Sequence, residues 1–138
     1  MKTKGAIVET SAQAVALLRA ALPKKQQEER VWVLPLDANG RMLAQPILVS
    51  VGHEDGTATI DAGAIFREAL KAGAEEIIVA HNHPSGDLTP SKADIAATTK
   101  LREAADLLSV PLIDHIILGR GGAFYSLAEP SSDMIDGM

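Results

Sequence analysis

The sequence predicts an α/β fold in which helices form layers around a mixed sheet, and three observations carry that reading. Apolar residues at helical spacing alternate along the chain with short runs rich in valine, isoleucine and leucine, and no internal repeat interrupts the alternation. With 138 residues and 46% hydrophobic content, the chain is long enough for one domain with a sizeable core. It contains no cysteine, which excludes disulfides, thiolate nucleophiles, thiolate-ligated zinc and iron–sulfur clusters together; any metal must be held by nitrogen and oxygen.

Thr10 or Ser11 caps a first helix running to about Leu22, with Val15, Leu18 and Leu22 at helical spacing and Pro23 ending it. The polar link KKQQEER follows. VWVLPLD reads as a strand, Asn39-Gly40 as its turn, and RMLAQPILVSV as the returning hairpin partner or partners. Pro35 and Pro46 suggest edge or interrupted strands, blunted or paired with a second subunit in a homo-oligomer. Asp61 caps AGAIFREALKA, which Gly73 stops, and EEIIVA is a buried strand. Thr89 as cap and Pro90 as first helical residue open a long helix whose apolar face comprises Ile95, Leu101, Leu107 and Leu108, until Pro111. LIDHIILG and AFYSL, joined by Arg120-Gly121-Gly122, form a closing hairpin. The final PSSDMIDGM reads as a disordered tail, so the domain is expected over residues 1–129 and the tail over 130–138.

The start, MKTKGAIVETSAQAVALLRAALPKK, has no unbroken apolar core fit for a signal peptide, and no stretch approaches membrane-spanning length. A cytoplasmic protein with no membrane partner is expected. The net charge of −5 opposes a dominant phosphate-neutralising surface, so nucleic acid is a minor expectation.

The chemistry concentrates in AHNHPSGDLTPSKAD, residues 80–94, between a buried strand and a helix, where open sheets place their sites. If the strand continues through Asn82, His81 and His83 point to one side and Asn82 turns away. Pro84, Ser85 and Gly86 fit a turn, and Ser91 and Asp94 then share one helical face that can meet the histidines. Two neutral imidazoles and a carboxylate are a set that zinc accepts with a position left for water, whose pKa it lowers to about 7. The bland alternatives are real: His-x-His alone is a weak signal, and Ser91-x-x-Asp94 matches the capping box that begins many helices for purely structural reasons. Their conjunction, histidines then turn then helix, is what points to a metal.

His81-x-His83, seven residues, Ser91, two residues, Asp94 resembles the JAMM signature of MPN-type zinc metalloproteases, in the version carried by the RadC-like branch. EERVWVLPLD, FREALKAGAEEIIVA, the helix after Asp94, and LIDHIILG followed by YSLAE fall in the RadC-like order, so the resemblance covers about residues 8–129. It implies a three-layer α/β/α fold with a mixed sheet, similar to cytidine deaminases, and one zinc per chain bound by His81, His83 and Asp94. It also implies a glutamate that acts as general base and then as acid to the leaving amine; counting back from Leu36-Asp37 places it at Glu29. Strand alternation puts Glu29 on the face of Val31 and Val33, and the rival Glu28 on that of Trp32 and Leu34. Glu28 is expected to be exposed. Ser91 is implied as hydrogen-bond donor to a developing oxyanion.

The expected activity is therefore zinc-dependent hydrolysis of a peptide or isopeptide amide in a protein substrate. Two other readings stand beside it: a metal-dependent DNA-processing or repair accessory, and a zinc-bearing interaction module without turnover. Base deamination lacks its His-x-Glu and Pro-Cys-x-x-Cys elements here. Asp114 and His115 are expected to serve packing ahead of any role beside the metal, and His53, in GHEDG, to be exposed. Two departures from the RadC-like pattern matter. Ala62-Gly63 stands where many such chains have Pro-Arg, and the chain is expected to lack the helix-hairpin-helix segment of longer RadC proteins.

Overall fold

The computed structural model describes residues 4–21, 28–52 and 60–128. Among the described residues, three helices, α1 (Ser11–Ala21), α2 (Ala62–Lys71) and α3 (Lys92–Leu108), accompany five strands: β1 (Arg30–Leu36), β2 (Ile47–Val51), β3 (Glu76–Asn82), β4 (Leu112–Leu118) and β5 (Phe124–Ser126). The strands form one mixed sheet ordered β2-β1-β3-β4-β5, in which only the β3–β4 pair is parallel. A parallel pair needs a long crossover, and α3 supplies it. Strand alternation then builds two cores. Trp32, Leu34, Leu36, Ile78, Ile116 and Leu118 pack against α1, whereas Val31, Val33, Ile77 and Val79 pack on the opposite face with Ile65 and Phe66 of α2 and Leu101 and Ala105 of α3. The α/β class with helices on both faces of a mixed sheet is as expected.

Local chemistry explains where the elements begin. Thr10, rather than Ser11, caps α1: its Oγ1 accepts from the Gln13 N–H at 3.1 Å while Gln13 Oε1 accepts from the Thr10 N–H at 3.1 Å. Leu22 and Pro23, expected at its end, lie outside the described residues, as do His53 and the tail after residue 128. Asp61 caps α2 through the Gly63 N–H at 2.9 Å, and Gly73, at φ +79°, follows its end.

Three expectations require correction. Pro35 does not mark an edge, because β1 lies between β2 and β3. It is tolerated because the β1–β2 ladder ends at Val33–Ile47; on that side the Pro35 carbonyl accepts from Leu43 N–H, so the missing N–H has no strand partner to lose. The cap of α3 is Ser91, not Thr89, and Pro90 precedes the helix. The buried face of α3 is Asp94, Thr98, Leu101 and Ala105; Ile95, Leu107 and Leu108 are 53%, 87% and 45% exposed. Aspartate and threonine, not aliphatics, begin the inward stripe, so apolar periodicity misreads its phase.

Candidate metal centre

Strand β3 carries the chain to the sheet end with Ile77, Val79 and His81 on one face. His81 is fully buried and lies opposite Val31 of β1. Asn82 turns to the other side. Its Oδ1 accepts from the Arg30 N–H at 2.6 Å and its Nδ2 donates to the Glu28 carbonyl at 3.0 Å, so one amide spans the residues flanking Glu29. The Gly52 N–H donates to the Glu29 carbonyl at 2.7 Å from the neighbouring strand. Held by its backbone in this way, Glu29 keeps the Val31 parity and aims at the histidines, with ligand atoms of Glu29, His81 and His83 all within 4.8 Å of one another. Glu28 is exposed, as expected, with a carboxylate 4.0 Å from Arg30.

His83 continues the parallel register, its N–H donating to the Leu118 carbonyl at 2.8 Å. The turn that follows requires Gly86, at φ +89°; a Cβ there would also crowd the Arg120 side chain at 3.2 Å. This turn brings the Asp87 carbonyl 2.7 Å from His83 Nδ1. A carbonyl only accepts, so Nδ1 bears a proton; in the neutral ring Nε2 then presents a lone pair.

Ser91 and Asp94 form the capping box that their spacing allows: Ser91 Oγ accepts from the Asp94 N–H at 3.0 Å, and Asp94 Oδ2 accepts from the Ser91 N–H at 2.9 Å. The same carboxylate meets the histidines. Asp94 Oδ1 lies 3.2 Å from His81 Nε2 and Oδ2 lies 3.3 Å from His83 Nε2, while the two Nε2 atoms are 3.1 Å apart. The helix cap and the approach to both histidines thus meet in one side chain. Burial pushes the Asp94 carboxyl up, but hydrogen bonds with His81 and the Ser91 N–H outweigh it and hold the group well below the usual carboxylate range.

The donor set fits a small divalent ion. Tetrahedral ligands at Zn–N distances of about 2.0–2.1 Å stand about 3.3 Å from one another; the Nε2 pair at 3.1 Å and the two nitrogen–oxygen contacts at 3.2 and 3.3 Å come near that, the latter through different oxygens of Asp94. Moreover, with His83 neutral, its Nε2 lone pair and the Asp94 carboxylate, both acceptors, face each other at 3.3 Å, an arrangement that a cation relieves. A histidine, histidine and glutamate group that could hold a metal ion is therefore present, with Asp94 alongside.

Behind His81 lies a second histidine that sequence reasoning assigned to packing. His115 is fully buried, its Nε2 2.9 Å from His81 Nδ1 and its Nδ1 2.6 Å from Thr98 Oγ1. Burial first, and His81 next, push its pKa down to about 3, so it is neutral. Its neighbour Asp114 is structural: on the opposite face it accepts from Ser11 Oγ at 2.7 Å and Ser126 Oγ at 2.8 Å, tying α1 and β5 to β4. Ala62 and Gly63 form the first turn of α2. Asn82 and Thr98 were missed; an asparagine between two histidines on a strand was the one available signal.

A five-stranded mixed sheet carrying this histidine and carboxylate cluster at the end of its parallel pair defines an α/β domain of the JAB/MPN class. The RadC-like JAB domain family model matches residues 8–132, and the chain belongs to that family. It is 41% identical over 126 residues to a UPF0758 protein of Thermosynechococcus vestitus, covering 89% of this chain and 48% of that protein. A UPF0758 protein of Carboxydothermus hydrogenoformans is 46% identical over 102 residues, 74% of this chain and 44% of its own length. The chain thus spans about half the length of these curated relatives. Among the described residues, no helix is long and apolar enough to cross a membrane.

Proposed function

We propose that this domain is a zinc-dependent hydrolase of peptide or isopeptide amides, with His81, His83 and Asp94 as the ligands. The observation that carries this reading is the mutual approach of the His81, His83 and Asp94 donor atoms at 3.1 to 3.3 Å, with Glu29 beside them. When bound, zinc supplies Lewis-acid polarisation of the scissile carbonyl and makes water acidic enough to attack near neutral pH. The remaining work falls to the chain. Glu29, not needed to complete the ligand set, takes the proton from the attacking water and returns it to the leaving amine nitrogen. Ser91 Oγ accepts from the Asp94 N–H at 3.0 Å in the cap, which leaves its own O–H to donate to the oxyanion. Asp94, held as a carboxylate, remains an acceptor and does not compete for the proton that Glu29 carries. Covalent catalysis through Ser91 has no support, since its Oγ hydrogen-bonds no base among the described residues.

Metal analysis of purified protein tests the reading. Wild type is expected to carry one zinc per chain, and His81→Ala and Asp94→Asn to lose it while remaining folded by circular dichroism. A folded wild type that takes up no zinc at neutral pH would defeat the proposal. A metal-dependent nick in plasmid DNA, with no amide cleavage, would replace it by the DNA-processing reading.

A further inference from the structure

Thr98, His115 and His81 form a chain of hydrogen bonds that leads from the middle of α3 to the inner edge of the metal centre. His81 Nδ1 is 2.9 Å from His115 Nε2, and His115 Nδ1 is 2.6 Å from Thr98 Oγ1. Thr98 Oγ1 is also placed to donate to the Asp94 carbonyl at 2.9 Å. A hydroxyl has one proton, so Thr98 can direct it to either of two acceptors. That choice fixes the whole chain. If Thr98 donates to the Asp94 carbonyl, its oxygen accepts from His115 Nδ1–H; His115 Nε2 then accepts from His81 Nδ1–H, and His81 Nε2 is left with a lone pair. If Thr98 donates to His115 Nδ1 instead, His115 Nε2–H donates to His81 Nδ1, and the proton of His81 sits on Nε2, where Asp94 Oδ1 at 3.2 Å accepts it.

We infer that Thr98 and His115 are positioning residues that let His81 exchange tautomers when metal enters. Resting on the zinc reading above, the inference goes beyond it in assigning a role to two residues that touch no ligand position. Both polarities satisfy every polar atom of the buried chain and each ring stays neutral in both: the Thr98 hydroxyl turns from one acceptor to the other, and each imidazole releases the proton of one ring nitrogen and takes one up on the other by exchange with water, so the number of protons is unchanged. The metal-free centre needs a proton among its facing acceptors, which the Nε2–H tautomer of His81 supplies. The metal-bearing centre needs that nitrogen bare, and the reversed chain supplies it without leaving a buried N–H unpaired.

The test is long-range proton–nitrogen NMR on protein labelled at histidine, with and without zinc, together with zinc affinity from competition against a chromophoric chelator. His115 is expected to carry its proton on Nε2 without metal and on Nδ1 with zinc, although it does not touch the ion. Thr98→Val removes the acceptor for His115 Nδ1–H and is expected to weaken zinc affinity by about 10- to 100-fold. Thr98→Ser, which restores the hydroxyl, is expected to recover it. If zinc binds and the His115 tautomer does not change, the relay is wrong while the metal reading survives. The relay is equally wrong if Thr98→Val, folded by circular dichroism, binds zinc as wild type does. Failure of wild type to bind zinc overturns both.

Discussion

Glu28 and Glu29 have the same side chain one position apart, and backbone anchoring gives them different surroundings. Asn82 grips Glu28 O and the Arg30 N–H, so Glu29 follows the parity of Val31 toward the histidines and Glu28 faces water. Accordingly, Glu29→Gln is expected to retain zinc and lose about 10²- to 10⁴-fold in turnover, whereas Glu28→Gln leaves turnover near wild type; equal losses in both would remove Glu29 from its role. His115 allows a prediction that needs no substrate. Its pKa, about 3 in the fold because burial excludes the charged ring, is about 6.5 in an unfolded chain. The unfolded state therefore binds more protons between those values. Stability from the neutral ring is complete above about pH 6.5 and is lost as pH falls toward about 3. In calorimetry of metal-free protein, the fall in Tm from about pH 7 to pH 5 is expected to be smaller for His115→Gln than for wild type, and parallel curves would contradict this. At this scale His81, His83 and Asp94 were legible because their spacing is local. Asn82, Thr98 and His115 were not, because their partners lie 17 to 54 residues away.

The helix that carries Asp94 shows how a site can override a periodicity. Ile95, Leu107 and Leu108 suggest one apolar face, yet the buried stripe starts at Asp94 and proceeds through Thr98, Leu101 and Ala105. Spacings of four, three and four residues keep these on one side of an α-helix, and the polar contacts of Asp94 and Thr98 set which side that is. Leu101→Ala is therefore expected to cost about 2–5 kcal/mol in denaturant unfolding. Leu107→Ala, at a side chain 87% exposed, is expected to stay within about 0.5 kcal/mol of wild type; reversed magnitudes would mean that the helix is rotated. The start of α3 was misplaced for a related reason. Thr89 and Pro90 offer a plausible start on their own, but the reciprocal Ser91 and Asp94 bonds satisfy two helix-end donors at once and settle the cap two residues later. By contrast, α2 was read correctly from Asp61 to Gly73, because both punctuating residues act locally.

Across the whole domain, the alternation of helical and strand-like segments was enough to give a mixed sheet with helix layers, while the strand order depended on pairings that no local pattern carries. Pro35 shows the limit: it reads as an edge residue, and only the early end of the β1–β2 ladder lets it sit in an inner strand. That topology brings His81 and His83, at and just beyond the end of β3, to the first turn of α3, while Asp114 secures α1 and β5 on the far face of the sheet. A metal bound by His81, His83 and Asp94 would cross-link β3 to α3, and an ion that binds only the folded state must stabilise it. Zinc at about one hundred times its Kd adds about 2.7 kcal/mol, which in a chain of this size raises Tm by on the order of 10 °C. The shift is expected to vanish on chelation and in Asp94→Asn, and to persist in Glu29→Gln. Asp114→Asn, on the other face, is expected to lower Tm with and without zinc while leaving the shift intact. Should the zinc-dependent shift survive in Asp94→Asn, the ion would be bound elsewhere and the convergence of these side chains would be packing alone.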